Sequence, residues 1–370
     1  MKQYLAPLEG MTSHILRNAI AHHYGGFDKY FTPFITSATM NHREREDVDP
    51  AHNKGVDVVP QIMSNNVREF LDIAKSVSSR GYKTVNLNLG CPSKTVVGKH
   101  RGSGFLSVPD ELENFLSEIF DKCPLNISIK TRIGMNDITE WPGIVEIYKK
   151  YPMDELIIHP RIQKEFYKGS PHMEEFIYGA KLLKETGIPL VYNGDIVDLK
   201  SYDNLMAVLR ENKLDNISAV MIGRGAMALP MIGRDLKDYG DVSVEAGSLS
   251  GHNSAVEAGS LSGHNSALED GFVQGMKSSS VVSENIDMAS HAFLNDAAEV
   301  NRFWAFHDEI LQEYTQVMSG DTPTLFKMKE LWVYWQVLFQ DVDGFKKIHK
   351  KILKSKRLSD YKAAISEIVI

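Results

Sequence analysis

The sequence has few cysteines, no long apolar run and no general excess of positive charge. Only two cysteines, Cys91 and Cys123, occur among the 370 residues, which excludes a disulfide-stapled module and indicates a reducing compartment. No stretch approaches eighteen uninterrupted apolar residues, so a transmembrane helix is excluded. The 48 acidic residues outnumber the 41 lysines and arginines. Any contact with nucleic acid must therefore come from a local basic patch.

The first residues show no sign of a targeting segment. Residues 1–7 read MKQYLAP and lack a basic stretch followed by a long apolar one, which is the pattern of an export signal. We therefore expect a cytoplasmic protein. Because 43% of the residues are apolar, the chain can bury the core of one large domain and a smaller second one.

Short β-rich apolar runs alternate with longer amphipathic stretches through the first 240 residues. The runs predict eight strands at Gln3–Leu5, Tyr30–Thr36, Asp57–Met63, Thr84–Leu89, Asn126–Thr131, Glu155–His159, Pro189–Asn193 and Ala219–Gly223. The later intervals predict helices at Asn66–Arg80, Pro109–Lys122, Glu140–Lys150, Met173–Thr186 and Lys200–Glu211. Eight β/α units in about 235 residues are typical of a (β/α)₈ TIM barrel. A doubly wound open sheet, the alternative, normally stops at about five or six strands. We predict a catalytic barrel over residues 1–240.

The composition changes abruptly after the predicted barrel. Residues 244–255 read VEAGSLSGHNSA, and residues 256–267 repeat this dodecamer letter for letter. Two polar copies are too few to build a solenoid, so we interpret residues 241–284 as a flexible Ser/Gly-rich insertion. His252 and His264 come from the repeated unit, with no acid or cysteine at ligand spacing, and we expect no metal site there.

Residues 285–370 return to a helical pattern rich in aromatic residues and predict a small all-helical domain. Within it, Phe345–Arg357 contains seven lysines and arginines and no acid. Apolar residues at helical spacing leave its other faces to Lys346, Lys347, Lys350, Lys351 and Lys354. A solvated helix face is the simpler interpretation. In an acidic chain, however, such a concentration favours contact with a polyanion.

Two glycine-containing turns follow the last two predicted strands. Asn193-Gly194-Asp195 follows the seventh strand, and Gly223-Arg224-Gly225 follows the eighth. Loops at these positions commonly hold a phosphate in TIM barrels, because glycine lets a ligand approach backbone N–H groups closely. Each turn alone is ordinary, but both together favour a phosphorylated cofactor, with Arg224 as its counter-ion.

Polar residues also end the third, fifth and sixth strands. The Gln61 amide suits a flat heterocycle with donors and acceptors. Lys130 could stabilise an anion that develops on a ring or a phosphate, although a strand-end lysine is often only solubilising. His159 could donate to a phosphate and Arg161 could bind an anionic substrate, but as a pair they are weak evidence.

The fourth strand is followed by a cysteine at the predicted mouth of the barrel. Cys91 lies in the run NLNLGCPSK at residues 86–94, next to a proline that fixes the turn. Because an unperturbed thiol has a pKa near 8.5, Cys91 can act as a general acid as well as a latent nucleophile. Cys123, at a helix end, is interpreted as a small buried hydrophobic residue.

Together these motifs resemble the dihydrouridine synthase family, flavin enzymes that reduce uridines in transfer RNA. The shared motifs are LAPLEGMT at 5–12, PQIM at 60–63, NLNLGCPSK at 86–94, KTRIG at 130–134, HPR at 159–161, YKG at 167–169, NGD at 193–195 and MIGRG at 221–225. The resemblance implies an FMN-binding barrel followed by a helical domain that binds tRNA. No Rossmann GxGxxG unit is present, which fits NADPH reducing the flavin at the barrel mouth.

The resemblance also implies roles for individual residues. Pro7 and Leu8 would contact the flavin ring, and Gln61 and Lys130 its polar edge. The flavin phosphate would be surrounded by His159, Asn193, Gly194, Gly223 and Arg224. Asn88 and Arg161 would hold the uracil, while Lys346, Lys347, Lys350 and Lys351 would contact the tRNA. Hydride would pass from reduced FMN to C6, and Cys91 would protonate C5.

Departures from the family pattern leave alternatives open. Residues 8–11 read LEGM where the family commonly has MAGV, and Pro160 stands where glycine is common. An FMN-dependent TIM-barrel oxidoreductase acting on a free small molecule, in the manner of dihydroorotate dehydrogenases, is the alternative function. A non-catalytic RNA-binding protein is a third. We expect tRNA and NADPH as partners, no membrane, no metal and a monomer.

Overall fold

The computed structural model describes residues 1–246 and 287–369. Eight parallel strands form a closed barrel in the order β1 to β8, and β1 pairs with β8 to close it. The strands are β1 Lys2–Leu5, β2 Lys29–Ile35, β3 Val58–Ile62, β4 Thr84–Leu89, β5 Asn126–Gly134, β6 Leu156–Ile162, β7 Leu190–Tyr192 and β8 Ile217–Ile222. The predicted TIM barrel is confirmed.

Helices alternate with the strands and cover the outside of the barrel. They are α1 His14–His23, α2 His42–Val48, α3 Val67–Ser78, α4 Lys94–Val97, α5 Pro109–Lys122, α6 Trp141–Tyr148, α7 Met173–Leu183, α8 Leu199–Glu211, α9 Arg224–Ala228 and α10 Ile232–Ala246. The predicted boundaries of β4 and α5 agree with the structure. From residue 247 onward the predicted insertion lies outside the described residues.

Two strands extend past their predicted carboxyl ends. β5 continues past Thr131 to Gly134, and β6 continues past His159 to Ile162. The two extensions pair with each other, since Gly134 aligns with Ile162. Both predicted strands stop before an arginine. In the structure Arg132 and Arg161 lie inside the strands as buried cations, so the predicted strands end too early.

The inside of the barrel is filled by side chains from alternate strand positions. This inner cluster consists of Tyr4, Ala6, Phe31, Val59, Ile157, Val191, Ala219 and Met221. Tyr4 donates a hydrogen bond to the carboxylate of Glu155, which also binds Lys29 at 2.9 Å. These residues pack the interior, and the polar residues at the carboxyl ends of the strands are left to form a cavity.

The region after residue 287 is helical, as predicted. Its helices are α11 Asp287–Leu294, α12 Ala297–Val317, α13 Asp321–Trp335, α14 Phe345–Lys354 and α15 Leu358–Ile365. The aromatic core is built around Phe303, with Trp332, Trp335 and Phe339 packed edge-on or tilted against one another. The Tyr361 hydroxyl accepts a bond from the Trp332 indole at 2.7 Å and lies 2.6 Å from His307.

The helical domain packs directly against the barrel. Helix α12 lies along α1, where Phe306 contacts the rings of His23 and Tyr24 edge-on. Arg234 at the start of α10 binds Glu299 at 2.7 Å. Helix α13 packs beside the short helix α9 that follows β8. The helical domain therefore reaches the rim of the barrel at its carboxyl end.

None of the helices within residues 1–246 and 287–369 combines the length and apolar character needed to cross a bilayer.

Candidate active site

A cavity opens at the carboxyl ends of the barrel strands. Its wall includes eleven of the residues predicted from the sequence: Pro7, Leu8, Gln61, Asn88, Cys91, Lys130, His159, Asn193, Gly194, Gly223 and Arg224. They come from the carboxyl ends of seven strands or the loops that follow them, and they meet because parallel strands in a closed barrel end on the same side. Arg161 and the four lysines of α14 do not line this cavity.

The cysteine at the end of β4 is held by its own loop. The Asn88 side-chain oxygen accepts hydrogen bonds from the backbone N–H groups of Gly90 at 3.0 Å and Cys91 at 2.9 Å. The Ser103 hydroxyl donates to the Cys91 carbonyl at 2.8 Å. Burial raises the pKa of the Cys91 thiol, and the negative charge of Glu9 raises it further. Cys91 is therefore a protonated thiol at neutral pH and suits the role of an acid.

A chain of side-chain amides runs across β3, β4 and β5. Asn88 donates to Gln61 at 2.7 Å, Gln61 donates to Asn86 at 2.8 Å, and Asn86 donates to Ser128 at 2.9 Å. Each bond fixes which end of the next amide is oxygen and which is nitrogen. Gln61 keeps one N–H and one lone pair for a ligand in the cavity.

Lys130 places an ammonium group at the cavity wall. Burial lowers the pKa of Lys130 to about 7, and the positive charge of the nearby Arg132 lowers it further. Within residues 1–246 and 287–369, no hydrogen-bond acceptor contacts Lys130 Nζ. A desolvated cation without a partner is unfavourable on its own, so an electron-rich ligand at this point would gain from it.

His159 lies among four cationic side chains. Burial and the charges of Arg132, Lys130, Arg161 and Arg224 hold its pKa well below the ordinary value, so the ring is neutral. His159 Nε2 is 3.1 Å from Arg161 Nη1. Because a guanidinium can only donate, Nε2 must accept, and the ring proton is assigned to Nδ1. His159 is therefore a neutral donor.

Asp195 joins the two arginines that follow β6 and β8. It accepts bonds from Arg161 Nη2 at 2.5 Å and from Arg224 Nη2 at 2.6 Å. Burial alone would raise the pKa of Asp195, but hydrogen bonding from Arg161 and the charge of Arg224 hold it below its ordinary value. Within the described residues, the other guanidinium N–H groups of Arg224 have no acceptor. They remain available to an anion.

Arg161 is fully buried, and all five of its N–H groups are occupied. Nε donates to the Lys168 carbonyl at 3.3 Å, and Nη2 donates to the Gly169 carbonyl at 2.5 Å. The remaining donors bind His159 and both oxygens of Asp195. The geometry makes Arg161 a positioning residue for Asp195 and His159, and its predicted contact with uracil stays a prediction.

The two glycine turns differ in why they need glycine. A Cβ on Gly194 would lie 2.0 Å from the hydroxyl of Tyr192, which is itself buried. A Cβ on Gly223 would meet only Ala6 Cβ, at an ordinary 3.5 Å. Packing inside the protein therefore accounts for Gly194. At Gly223 the protein itself leaves room for a Cβ, and the backbone conformation there, with φ −107° and ψ −93°, lies outside the regions that residues with a side chain usually adopt.

Several cavity residues were not predicted as site residues. They include Glu9, Phe34, Arg132, Tyr167 and Asp195. Tyr167 lies between two guanidinium groups, with Arg224 at 4.9 Å and Arg132 at 5.5 Å from its ring centre. Arg132, Tyr167 and Asp195 belong to the sequence motifs given above, so the motifs contained the signal. Glu9 is part of a departure from the family pattern.

Glu9 has an unusual environment for a carboxylate. One of its oxygens binds Arg43 Nη2 at 2.5 Å, whereas Oε2 is buried and has no hydrogen-bond partner in the described part of the chain. Burial raises the pKa of Glu9 despite the opposing charge of Arg43. Glu9 therefore adds a weakly held negative charge to a cavity that is otherwise positive.

The predicted basic helix is confirmed as α14, far along the chain from the cavity residues. Phe345, Ile348 and Ile352 are buried, and all five lysines are exposed. Lys347, Lys350, Lys351 and Lys354 line a groove between α14 and α15. Lys351 also forms an ion pair with Glu367 at 2.6 Å. The lysines form an open surface rather than a closed pocket.

Residues 1–246 and 287–369 contain one group of three possible metal ligands, and it lies away from the cavity. His22 Nδ1 and His23 Nε2 lie 2.7 Å and 2.8 Å from Glu309 Oε2, where α1 meets α12.

Comparison with known proteins identifies the family. The family model described as Dihydrouridine synthase (Dus) matches residues 4–292. A protein named "Probable tRNA-dihydrouridine synthase" from Staphylococcus aureus (strain COL) is 29% identical over 240 residues, covering 61% of this chain and 68% of that protein. "tRNA-dihydrouridine synthase B" from Pasteurella multocida (strain Pm70) is 27% identical over 235 residues, covering 62% of this chain and 67% of that protein.

Among solved structures, N-(5'-phosphoribosyl)anthranilate isomerase from Pyrococcus furiosus is similar with a TM-score of 0.39 and 10% identity. This likeness covers 65% of this chain and 99% of that one. The family model, by contrast, spans the β1 and β4 loops and the glycine turns that line the cavity. The chain therefore belongs to the dihydrouridine synthase family.

Proposed function

We propose that this protein reduces uridine in tRNA to 5,6-dihydrouridine, with FMN as its cofactor and NADPH as the reductant. Family membership supports the general reaction. The observation that carries the finer proposal is that Cys91, Lys130 and Arg224, far apart in sequence, line one cavity. An acid, a desolvated cation and an anion-binding arginine are the groups that the reaction needs together.

The donor set of the cavity fits FMN. Within the described part of the chain, the Lys130 ammonium has no acceptor, His159 offers Nδ1–H, and Arg224 has unused N–H groups. Gln61 and Lys130 would bind the polar edge of the flavin ring, and Pro7 and Leu8 would contact its face. His159, Asn193, Gly194, Gly223 and Arg224 would hold the phosphate. Bound FMN supplies the hydride that NADPH delivers to it, and C6 of the uracil receives that hydride.

Cys91 is proposed as the acid that completes the reduction. Its thiol gives a proton to C5 of the uracil and becomes a thiolate, so the ring gains one hydride and one proton. The raised pKa keeps this proton in place at neutral pH. The positive charges of Arg132 and Lys130 act on the same sulfur and favour the thiolate once it forms.

Asn88 is proposed to orient the uracil. Its oxygen fixes the backbone of the Cys91 loop and one amide N–H binds Gln61. The second N–H remains for a uracil carbonyl. We propose that Arg161 assists indirectly, by holding Asp195 and His159. The target base must leave the stacked RNA to enter such a pocket.

The tRNA body is proposed to contact the lysines of α14. Lys346, Lys347, Lys350 and Lys351 are exposed on one helix, as electrostatic binding of phosphates requires. A cytoplasmic location follows as part of the same proposal, since the substrate is tRNA.

The deciding experiment measures dihydrouridine directly. We expect purified protein to be yellow, and to form dihydrouridine in unmodified tRNA when NADPH is supplied. We also expect tRNA from cells that lack the gene to have lost at least one dihydrouridine. A protein that cannot be loaded with FMN, or that oxidises NADPH without changing bound tRNA, would contradict the proposal.

A further inference from the structure

Helix α13 connects the helical domain to the rim of the cavity. Lys327 on this helix donates a hydrogen bond to the Gly10 carbonyl at 2.7 Å. Gly10 directly follows Pro7, Leu8 and Glu9, which line the cavity. The same helix packs beside α9, which begins at Arg224. The loop after β1 and the helix after β8, which are neighbours in the closed barrel, thus both lie against α13.

Phe326 is exposed on this helix. Its side chain is 57% exposed, whereas the neighbouring apolar residues Leu325, Met328 and Leu331 are buried. Its ring centre lies 5.5 Å from Lys327 Nζ, the atom that binds Gly10. Single exposed apolar residues are common on protein surfaces. The distinguishing feature of Phe326 is its position, next to the residue that binds the β1 loop beside the proposed uridine pocket.

We infer that Phe326 stacks against a base of the tRNA adjacent to the target uridine. This inference rests on the proposed function and adds a substrate contact to it. Removing one uridine from a stacked strand leaves its neighbours with an uncovered face. An exposed phenyl ring covers such a face without regard to base identity.

The proposed substrate favours a nucleic-acid base over a protein as the occupant. Lys327 holds the ring beside the β1 loop and is itself fixed by Gly10 and by Glu330 at 2.9 Å. Stacking of bases on exposed aromatic side chains is a common way to bind single-stranded nucleic acid.

The test compares Phe326→Ala, Phe326→Tyr and the unchanged protein, all loaded with FMN. We expect Phe326→Ala to lower kcat/KM for tRNA about tenfold, because stacking on one base contributes roughly that factor. Phe326→Tyr should restore it. NADPH-dependent flavin reduction without tRNA should be unchanged, as should the dependence of tRNA binding on salt.

Tyr178→Ala is the matched control, since Tyr178 is an exposed aromatic residue on α7, outside the mouth. Unchanged kcat/KM in Phe326→Ala would overturn the inference. Equal losses in Phe326→Ala and Tyr178→Ala would also overturn it, as would a parallel loss of flavin reduction. Failure of the proposed function is recognised separately, because the unchanged protein would then form no dihydrouridine.

Discussion

The barrel mouth and helix α14 both concentrate positive charge, but water reaches the two sets of charges very differently. At the mouth, Arg132 and Arg161 are buried inside strands, and Lys130 has its pKa lowered to about 7. On α14 the lysines are exposed, and four of them line the groove beside α15. Buried cations act through fixed geometry, whereas exposed ones act through their number and are screened by salt.

This difference in exposure distinguishes the cations proposed to act in the reaction from those proposed to bind tRNA. Each cation at the mouth has either a defined hydrogen-bond partner or N–H groups left for a ligand. A single substitution there should therefore change a single step. Among the described residues, Lys351 with Glu367 is the one α14 lysine tied to a single acceptor in this way. Substitutions there should weaken tRNA binding gradually and leave the reaction itself intact.

The largest expected effect comes from removing the acid at the mouth. We expect Cys91→Ala to reduce dihydrouridine formation by about 10²- to 10⁴-fold, the range for a lost general acid, while FMN and tRNA still bind. Cys123→Ala is the matched control and should behave like the unchanged protein. Product measured by nucleoside chromatography decides this. Full activity of Cys91→Ala would show that the proton comes from elsewhere.

Charge reversal on α14 tests the other side of the comparison. Lys347→Glu combined with Lys350→Glu should weaken tRNA binding by about ten- to a hundredfold near 0.1 M salt, and the loss should shrink as salt increases. Flavin reduction by NADPH should not change. Lys54→Glu with Lys83→Glu, two exposed lysines before β3 and β4, is the control. If both double variants bind tRNA equally well, α14 has no role, and a small-molecule substrate is favoured.

The pKa of Lys130 gives a smaller, pH-dependent effect. The protonated lysine should bind the flavin better than the neutral amine, so FMN affinity should be greatest below about pH 7. As pH rises through about 7, affinity should fall by up to about tenfold per pH unit. Lys130→Met should bind FMN more weakly at low pH and lose this pH dependence. FMN fluorescence titrations from about pH 6 to 9 would measure it, with Lys83→Met as the control. Parallel pH curves for both variants would exclude Lys130 as the source of the pH dependence.

Sequence patterns predicted the frame of the site because strand ends in a parallel barrel share one side. Thr84–Leu89 was predicted and observed as a strand, and the cysteine two residues after it lines the cavity. The pairing between cavity residues could not be predicted from spacing. Asp195 accepts hydrogen bonds from both Arg161 and Arg224, and only the folded chain shows that these charges meet.

Other differences come from local conformation that a sequence pattern does not contain. Phe166 has a positive φ of 53°, a rare conformation for a residue with a side chain, and it precedes Tyr167 at the cavity. Gly194 resembles a phosphate turn in sequence, yet the Tyr192 hydroxyl occupies the space its Cβ would need. Both depend on how neighbouring side chains pack.

The bond from Lys327 to Gly10 joins groups 317 residues apart. As the ribosome releases the chain from its first residue to its last, the barrel can close once β8 has emerged and paired with β1. The β1 loop must still wait for α13 before it is anchored, and contacts between such distant residues form slowly. Assembly of the mouth is therefore a late event, and a chain cut after the barrel would carry the cysteine but an untethered rim.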